Sequence, residues 1–408
     1  MKKSSILFIA LMLISFASCS KKLATSAEDL DNNFTKLSKD MLMAGFAVTV
    51  VKKDKILYQK AFGQADVAKN TPYTNQTLQP IASISKTFIG VALMKAIEQG
   101  LFTLETPIND ILPFKVKNPN APNSTIRVKH LATHTSGMTD NQATYNKSYS
   151  ILAGENTTSV EAKRMINELG FSLNGNVLSL KNFLEAYCTE GGSLYDKANF
   201  LAAEPGTSYS YSNIGAGLAA YLIEVKTGKP FSDYCTDNIF KLLGMNNTSW
   251  FLTADNRPKM ATLHWERNKP LPFYTSATYP DGNLITSNED LSKYFIEMIK
   301  GFSGESTFLK KESFEMLFKK QFEVGKTPAN LNEKEENAGA FWVYFKNGRL
   351  GHTGGDFGVA TIMAFYPETK TGFIFMTNTE TAHIDNFDPI RKQMNIIFEN
   401  IKAFERDK

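Results

Sequence analysis

Cysteine is scarce: the chain has three in 408 residues. No disulfide-stapled scaffold is built so sparingly, and burial in a core must carry a fold of this length. Long apolar runs are missing as well. Ile6 to Ile14 is an unbroken apolar stretch of nine residues, too few for a helix to span a bilayer. Neither sign of charge dominates. The formal net charge is +4, or +2 without Lys2 and Lys3, and there is no basic stripe or charged tail. Nothing therefore suggests a nucleic-acid partner. Histidine numbers five, with no dense His/Asp cluster for a metal. His130 and His134 could share a helical face, but Leu131 stands where the H-E-x-x-H zinc pattern needs Glu. No serine sits in a G-x-S-x-G elbow, which argues against the α/β-hydrolase design. Internal repeats and low-complexity tracts are absent.

What is present begins with an export leader. Lys2 and Lys3 precede the apolar run, and Ser15-Phe16-Ala17-Ser18-Cys19 follows with small residues. Residues 1–18 are predicted to be removed. Ala17-Ser18-Cys19 resembles a bacterial lipoprotein cleavage box, which makes Cys19 a candidate lipidation site. Phe16 departs from the aliphatic residue usual there, so plain secretion is the rival. Both readings expect an exported chain, periplasmic or held at the outer membrane of a bacterium by a lipid on Cys19. Residues 19–40 read as a polar tether running into a short helix. Cys188 and Cys235 lie in apolar helical patterns; a disulfide between them and two buried free thiols are both compatible with export.

Residues 41–405 read as one α+β domain. Gly45 to Val51 and Ile56 to Phe62 are β-rich runs around Lys52-Lys53-Asp54-Lys55, a predicted hairpin. Three more runs, Phe341 to Phe345, Ala360 to Tyr366 and Gly372 to Thr377, lie near the other end, and from about 385 to 404 the spacing is helical. The middle, about 83 to 300, alternates helical patterns with Gly/Asn/Pro-rich loops. This order predicts an antiparallel sheet built from both chain ends (about 41–82 and 300–405) with a helical inserted subdomain. Residues 139–178, rich in Asn, Ser, Thr and Gly, lack a period. They read as a surface excursion or a lid over the site, and removing them should alter substrate preference more than stability.

Three motifs carry chemistry. In Ile81-Ala82-Ser83-Ile84-Ser85-Lys86, Ser83 opens a helix running to Gln99, with Lys86 three residues on over the same face. A serine at a helix N-terminus meets backbone N–H groups that favour developing negative charge. A lysine held beside it in a dry site can serve as base. Ser83 could equally be a plain N-cap, and Ser18 with Lys21 repeats the spacing by accident. In Glu204 to Asn213, a Pro-Gly loop delivers Tyr211 and Asn213 ahead of an apolar helix; a phenol can relay a proton and a carboxamide can orient a lysine or bind an amide. Tyr73-Thr74-Asn75 has the same Y-x-N spacing in a turn, so this motif too is weak alone. Leu350 to Gly358 holds His352-Thr353-Gly354-Gly355 between two predicted strands. By itself it reads as a Gly-rich hairpin loop.

Together and in this order, the three motifs resemble those of the serine β-lactamase and DD-peptidase superfamily. The likeness is to the branch of class C β-lactamases, D-alanyl-D-alanine carboxypeptidases, D-aminopeptidases and related esterases. Leu131 to Met138, Leu243-Gly244-Met245 with Thr248, and Gly282-Asn283-Leu284 with Asp290-Leu291 extend it over about residues 40–400. The resemblance implies that Ser83 forms an acyl-enzyme, with Lys86 and Tyr211 sharing the general-base work. It implies that Asn213 holds Lys86 and the substrate amide. It makes the N–H groups of Ser83 and Gly355 the oxyanion hole, has His352 and Thr353 bind the far end of the substrate, often a carboxylate, and leaves the His134 segment a structural part. No metal or other cofactor is implied, and the partner is a small peptide, ester or β-lactam. Penicillin-hydrolysing members usually carry Lys where His352 stands, so carboxylate recognition should be weaker or pH-dependent, and a carboxypeptidase-like peptidase or esterase is favoured over a β-lactamase. A catalytically idle binding protein on the same fold would be expected to lose Ser83, Lys86 or Tyr211. Asp281 departs from the small residue usual before Gly282.

Overall fold

The computed structural model describes residues 23–381 and 388–408. The leader and Cys19 lie outside them. Its centre is an eight-stranded antiparallel sheet in the spatial order Glu335–Ala338, Val343–Phe345, Leu350–Asp356, Val359–Phe365, Thr371–Thr377, Gly45–Lys52, Lys55–Asp66, Thr71–Pro72. The two chain ends meet where Phe46 pairs with Thr377 and Lys52 with Thr371. Gly45–Lys52 is buried on both faces, which is why it reads as a continuous apolar run rather than an alternation.

One face is covered by the helices Ala27–Lys39 and Asp388–Arg406. Phe34, Phe46, Phe62, Phe375 and Phe404 pack between them and the sheet. Phe46 stacks on Phe62 at 5.1 Å, and Phe34 meets both edge-on. Most of the stretch expected as a tether is therefore a packed helix. Ser26 and Asp29 form its capping box, each side chain accepting from the other's backbone N–H at 3.0–3.1 Å. At the far end Arg349 clasps Glu405, both buried, tying the last helix to the sheet.

The other face carries the helix Asn288–Phe302 and, beyond it, the helical middle, centred on Ser85–Glu98 and Asn213–Thr227. Thr49, on this face of its strand, donates to Asn288 Oδ1 at 2.9 Å. Two expectations change here. Residues 139–178 contribute buried Tyr145, Tyr149, Ile151, Met165 and Phe171 to the main core, and Tyr149–Ile151 pairs with Tyr274–Ser276. Their polar composition hid an aromatic wall: Tyr149 stacks on Phe171 at 4.8 Å and meets Phe357 edge-on at 5.8 Å. A mere surface excursion is not built so, and removing the segment would cost core packing. Leu350 to Asp356 is a strand, not a hairpin loop, paired from Leu350–Phe365 to Asp356–Val359; its glycines masked its β character. Cys188 and Cys235 are separate buried free thiols.

Candidate active site

Ser83 sits in a single 3-10 turn, Ala82–Ile84, and the α-helix proper begins at Ser85. Ala82 before it has φ +48°, a left-handed conformation unusual for a residue with a Cβ. The surroundings hold it there. Ile81 N–H donates to the Leu284 carbonyl at 2.9 Å, and Thr361 Oγ1 donates to the Ile81 carbonyl at 2.8 Å. Such strain persists only where neighbours over-determine it. Along the helix every residue from Ser85 to Met94 is buried, so the Ser83 turn is set on a rigid rod.

Lys86 is 0 % exposed. Its Nζ donates to Ser83 Oγ at 2.9 Å and to the Asp281 carbonyl at 2.7 Å, and lies 5.0 Å from the Tyr211 ring centroid. Burial raises the Tyr211 phenol above its ordinary range, while the Lys86 charge opposes that rise. Ser83, Lys86 and Tyr211 thus meet in one small volume. Of the two roles expected of Asn213, the hold on Lys86 is not seen. No hydrogen bond links its carboxamide to Lys86, and the Asp281 carbonyl occupies that role. Asn213 is instead the first residue of the helix Asn213–Thr227, and its N–H donates to Asp140 Oδ2 at 2.8 Å.

Asp140 went unrecognised in the sequence. It gathers Ser212 Oγ at 3.1 Å and the Asn213 and Ile214 N–H groups, fixing the Tyr211 loop to a helix N-terminus. Its signal was only its place two residues past Met138. His134 works beside it: Nδ1 accepts from the Ser212 N–H at 3.1 Å, and its ring lies 4.5 Å from that of Tyr211. His130 Nδ1 likewise accepts from the Arg127 N–H. Both histidines spend a ring nitrogen on backbone.

The strand Leu350–Asp356 closes the site. A Cβ on Gly354 would lie 2.5 Å from the Ile81 carbonyl and 3.1 Å from the Ser83 nitrogen, so only glycine lets the strand come this close. Thr353 and Gly355 are exposed along it, whereas His352 is buried. Burial first, then the Lys86 charge, pushes His352 down to about 4. Val343–Phe345 pairs only as far as Gly351, so, among the described residues, 352–356 keep one edge without a strand neighbour. Asp281 completes the floor; its Oδ2 accepts from Tyr145 OH at 3.2 Å. Burial pushes this carboxyl up to about 7, with Lys86 opposing and Asp140 and Asp356 adding to the rise.

Comparisons with known proteins agree with this architecture. The chain is 25% identical over 255 residues to Protein flp of Staphylococcus aureus (strain N315), covering 61% of this chain and 44% of that one. It is 26% identical over 377 residues to Beta-lactamase-like protein 4 of Dictyostelium discoideum, covering 83% and 57%. It thus spans about half the length of the curated relatives it matches. Among solved structures, a class C β-lactamase superposes with TM-score 0.64 at 18% identity, covering 92% of this chain and 94% of that one. A β-lactamase/D-alanine carboxypeptidase from Yersinia pestis superposes with TM-score 0.63 at 20% identity, covering 92% and 98%. The octameric penicillin-binding protein homologue from Pyrococcus abyssi gives 0.64 at 23% identity, covering 86% and 73%. At these identities the structural likeness shows the fold. The family model described as Beta-lactamase matches residues 30–393, and the chain belongs to that family.

Proposed function

We propose that the protein is an exported serine hydrolase that acts through an acyl-enzyme on a small amide or ester substrate, as a carboxypeptidase-like peptidase or an esterase. The observation that carries this reading is the buried Lys86 Nζ set 2.9 Å from Ser83 Oγ. Ser83 Oγ attacks the substrate carbonyl while Lys86 and Tyr211 take its proton. The Ser83 and Gly355 N–H groups receive the oxyanion, a role favoured by Gly354 lying against the Ser83 amide. The proton then passes to the leaving group, and water attacks the acyl-enzyme by the same relay. A substrate chain would lie along the open edge of residues 352–356. The class C-type β-lactamase alternative is disfavoured by His352, which presents no cation to a β-lactam carboxylate.

Fluorophosphonate labelling tests the core of this reading: the intact protein should label covalently and Ser83→Ala should not. A folded protein that never labels leaves only the idle binding role. Side-by-side turnover of a D-Ala-D-Ala peptide, a p-nitrophenyl ester and a chromogenic cephalosporin ranks the substrates. Ester turnover with slow cephalosporin turnover is expected. Anchoring through a lipid on Cys19 is part of the proposal. Metabolic labelling with a clickable palmitate should mark the wild type and spare Cys19→Ala, and an unmarked wild type would point to plain secretion.

A further inference from the structure

Four separate stretches of the sequence meet at one end of the sheet. Lys52 pairs with Lys55 and with Thr371, Phe365 pairs with Gly372 and with Leu350, and Leu350 pairs with Tyr344. The turns at 52–55, 346–349 and 366–371 therefore lie along one rim. The last helix, Asp388–Arg406, runs to the same rim, where Lys52 Nζ donates to the Lys408 carbonyl. With the buried Arg349–Glu405 pair set aside, segments 52–55, 346–349, 367–370 and 402–408 hold eight Lys or Arg against three Asp or Glu. Folding alone gathers these cations, which is why the sequence shows no basic stripe.

They are poorly neutralised. Lys408 meets Asp407 at 3.7 Å, but among the described residues Lys53, Lys55, Lys346, Lys402 and Arg406 form no ion pair. Burial first, against Glu305, and then the charge of Lys53 push the Lys370 ammonium down, so like charges crowd here. Apolar surface accompanies them. Ile56, beside the first turn, is 46 % exposed. A groove of about 880 Å³ opens between the last helix and the sheet, lined by Phe373 and Phe398, by Lys346, Lys402 and Arg406, and by the acids Glu333 and Glu399. Cations around an apolar seat suit the phosphate and upper chain of an anionic lipid.

The chain enters the fold close by. Ala24 N–H donates to Asn400 Oδ1 at 3.0 Å, about 9 Å of helix before Arg406. Cys19 precedes Ala24 by five residues, a reach of at most about 18 Å. A lipid on Cys19 would thus bring this rim to a bilayer. The candidate site points elsewhere. Gly354, against the Ser83 amide, lies about 13 Å along its strand from Leu350 at the rim.

We propose that this rim docks on an anionic phospholipid bilayer, its cations meeting lipid phosphates and Ile56 entering the headgroup layer, with Ser83 held away from the surface. The docking adds to anchoring at Cys19 and makes no use of the acyl-enzyme reading.

The test is sedimentation of the exported chain, from residue 19 and carrying Cys19→Ala so that no lipid is attached, with vesicles. Binding to mixed phosphatidylglycerol and phosphatidylcholine vesicles at about 50 mM salt should be about tenfold or more tighter than to phosphatidylcholine alone, and should fade towards about 0.5 M. Lys53→Glu with Lys402→Glu should weaken it about tenfold, with Tm unchanged. The matched reversal Lys181→Glu with Lys269→Glu, at exposed lysines away from the rim, should change it little. A second reading keeps all the cations: a fluorophore on Ile56→Cys should be quenched by a lipid-borne quencher, and one on Lys181→Cys should not. Equal binding to neutral vesicles, no binding to either kind, an equal loss from the matched reversal, equal quenching at both positions, or tighter retention by duplex DNA than by the anionic vesicles would each overturn the proposal.

Discussion

The two faces of the sheet obey opposite rules. Beneath the terminal helices the contacts are mainly aromatic and aliphatic, with Phe34, Phe46, Phe62, Phe375 and Phe404 filling the space between them and the Arg349–Glu405 pair buried at one end. On the face toward the helical middle, the core encloses Lys86, His134, Asp281, Asp356 and His352, all buried. The first face takes apolar surface out of water and contributes stability. The second buries charge and leaves His134 and His352 with a ring nitrogen unpartnered, which costs stability and is tolerated where chemistry needs it. Substitutions on the two faces should therefore move activity and stability in opposite senses.

The sharpest break is Lys86→Met. Turnover should fall by about 10³-fold as the group facing Ser83 is lost, while thermal denaturation shows no loss of stability and even a gain, since a buried polar amine gives way to an apolar chain. A large drop in Tm would show Lys86 to be structural. Phe46→Ala should do the reverse, costing about 3–5 kcal/mol in denaturant unfolding with kcat per folded molecule unchanged. Arg349→Ala breaks the buried pair to Glu405, where burial raises the carboxyl and the arginine opposes it. A loss of about 3 kcal/mol is expected, again without a change in kcat.

The smallest effect belongs to Asp281. Burial raises its carboxyl from an ordinary 3.8 to about 7, against Lys86 and with Asp140 and Asp356. Between those pH values the folded chain holds a proton that the unfolded chain releases, so stability falls as pH rises across the window. Asp281→Asn should leave Tm at pH 4 nearly unchanged and raise it by about 2–4 °C above pH 7. A pH-independent difference would mean that packing around Tyr145, rather than ionisation, governs the site.

Legibility in the sequence followed distance along the chain. The hairpin at residues 45–62 was readable because both strands and the turn between them are local. The strand Leu350–Asp356 was not, because three of its seven residues are glycine and what demands Gly354 is the distant Ile81 carbonyl. Residues 139–178 misled for a related reason. Tyr145, Tyr149 and Phe171 are spaced irregularly, and only their partners Tyr274 and Phe357, more than a hundred residues on, make them a wall.

By itself the sequence placed Ser83 and Lys86 three residues apart at a helix start, close enough to share a face. It also determined that the sheet would be completed by both ends of the chain. Only the tertiary structure decided what Lys86 leans on, because the Asp281 carbonyl is 195 residues away. It likewise decided that Asp140 secures the Tyr211 loop. And it decided the polarity of His352, whose proton is set by a backbone carbonyl and whose charge is set by burial, properties that no residue type carries on its own.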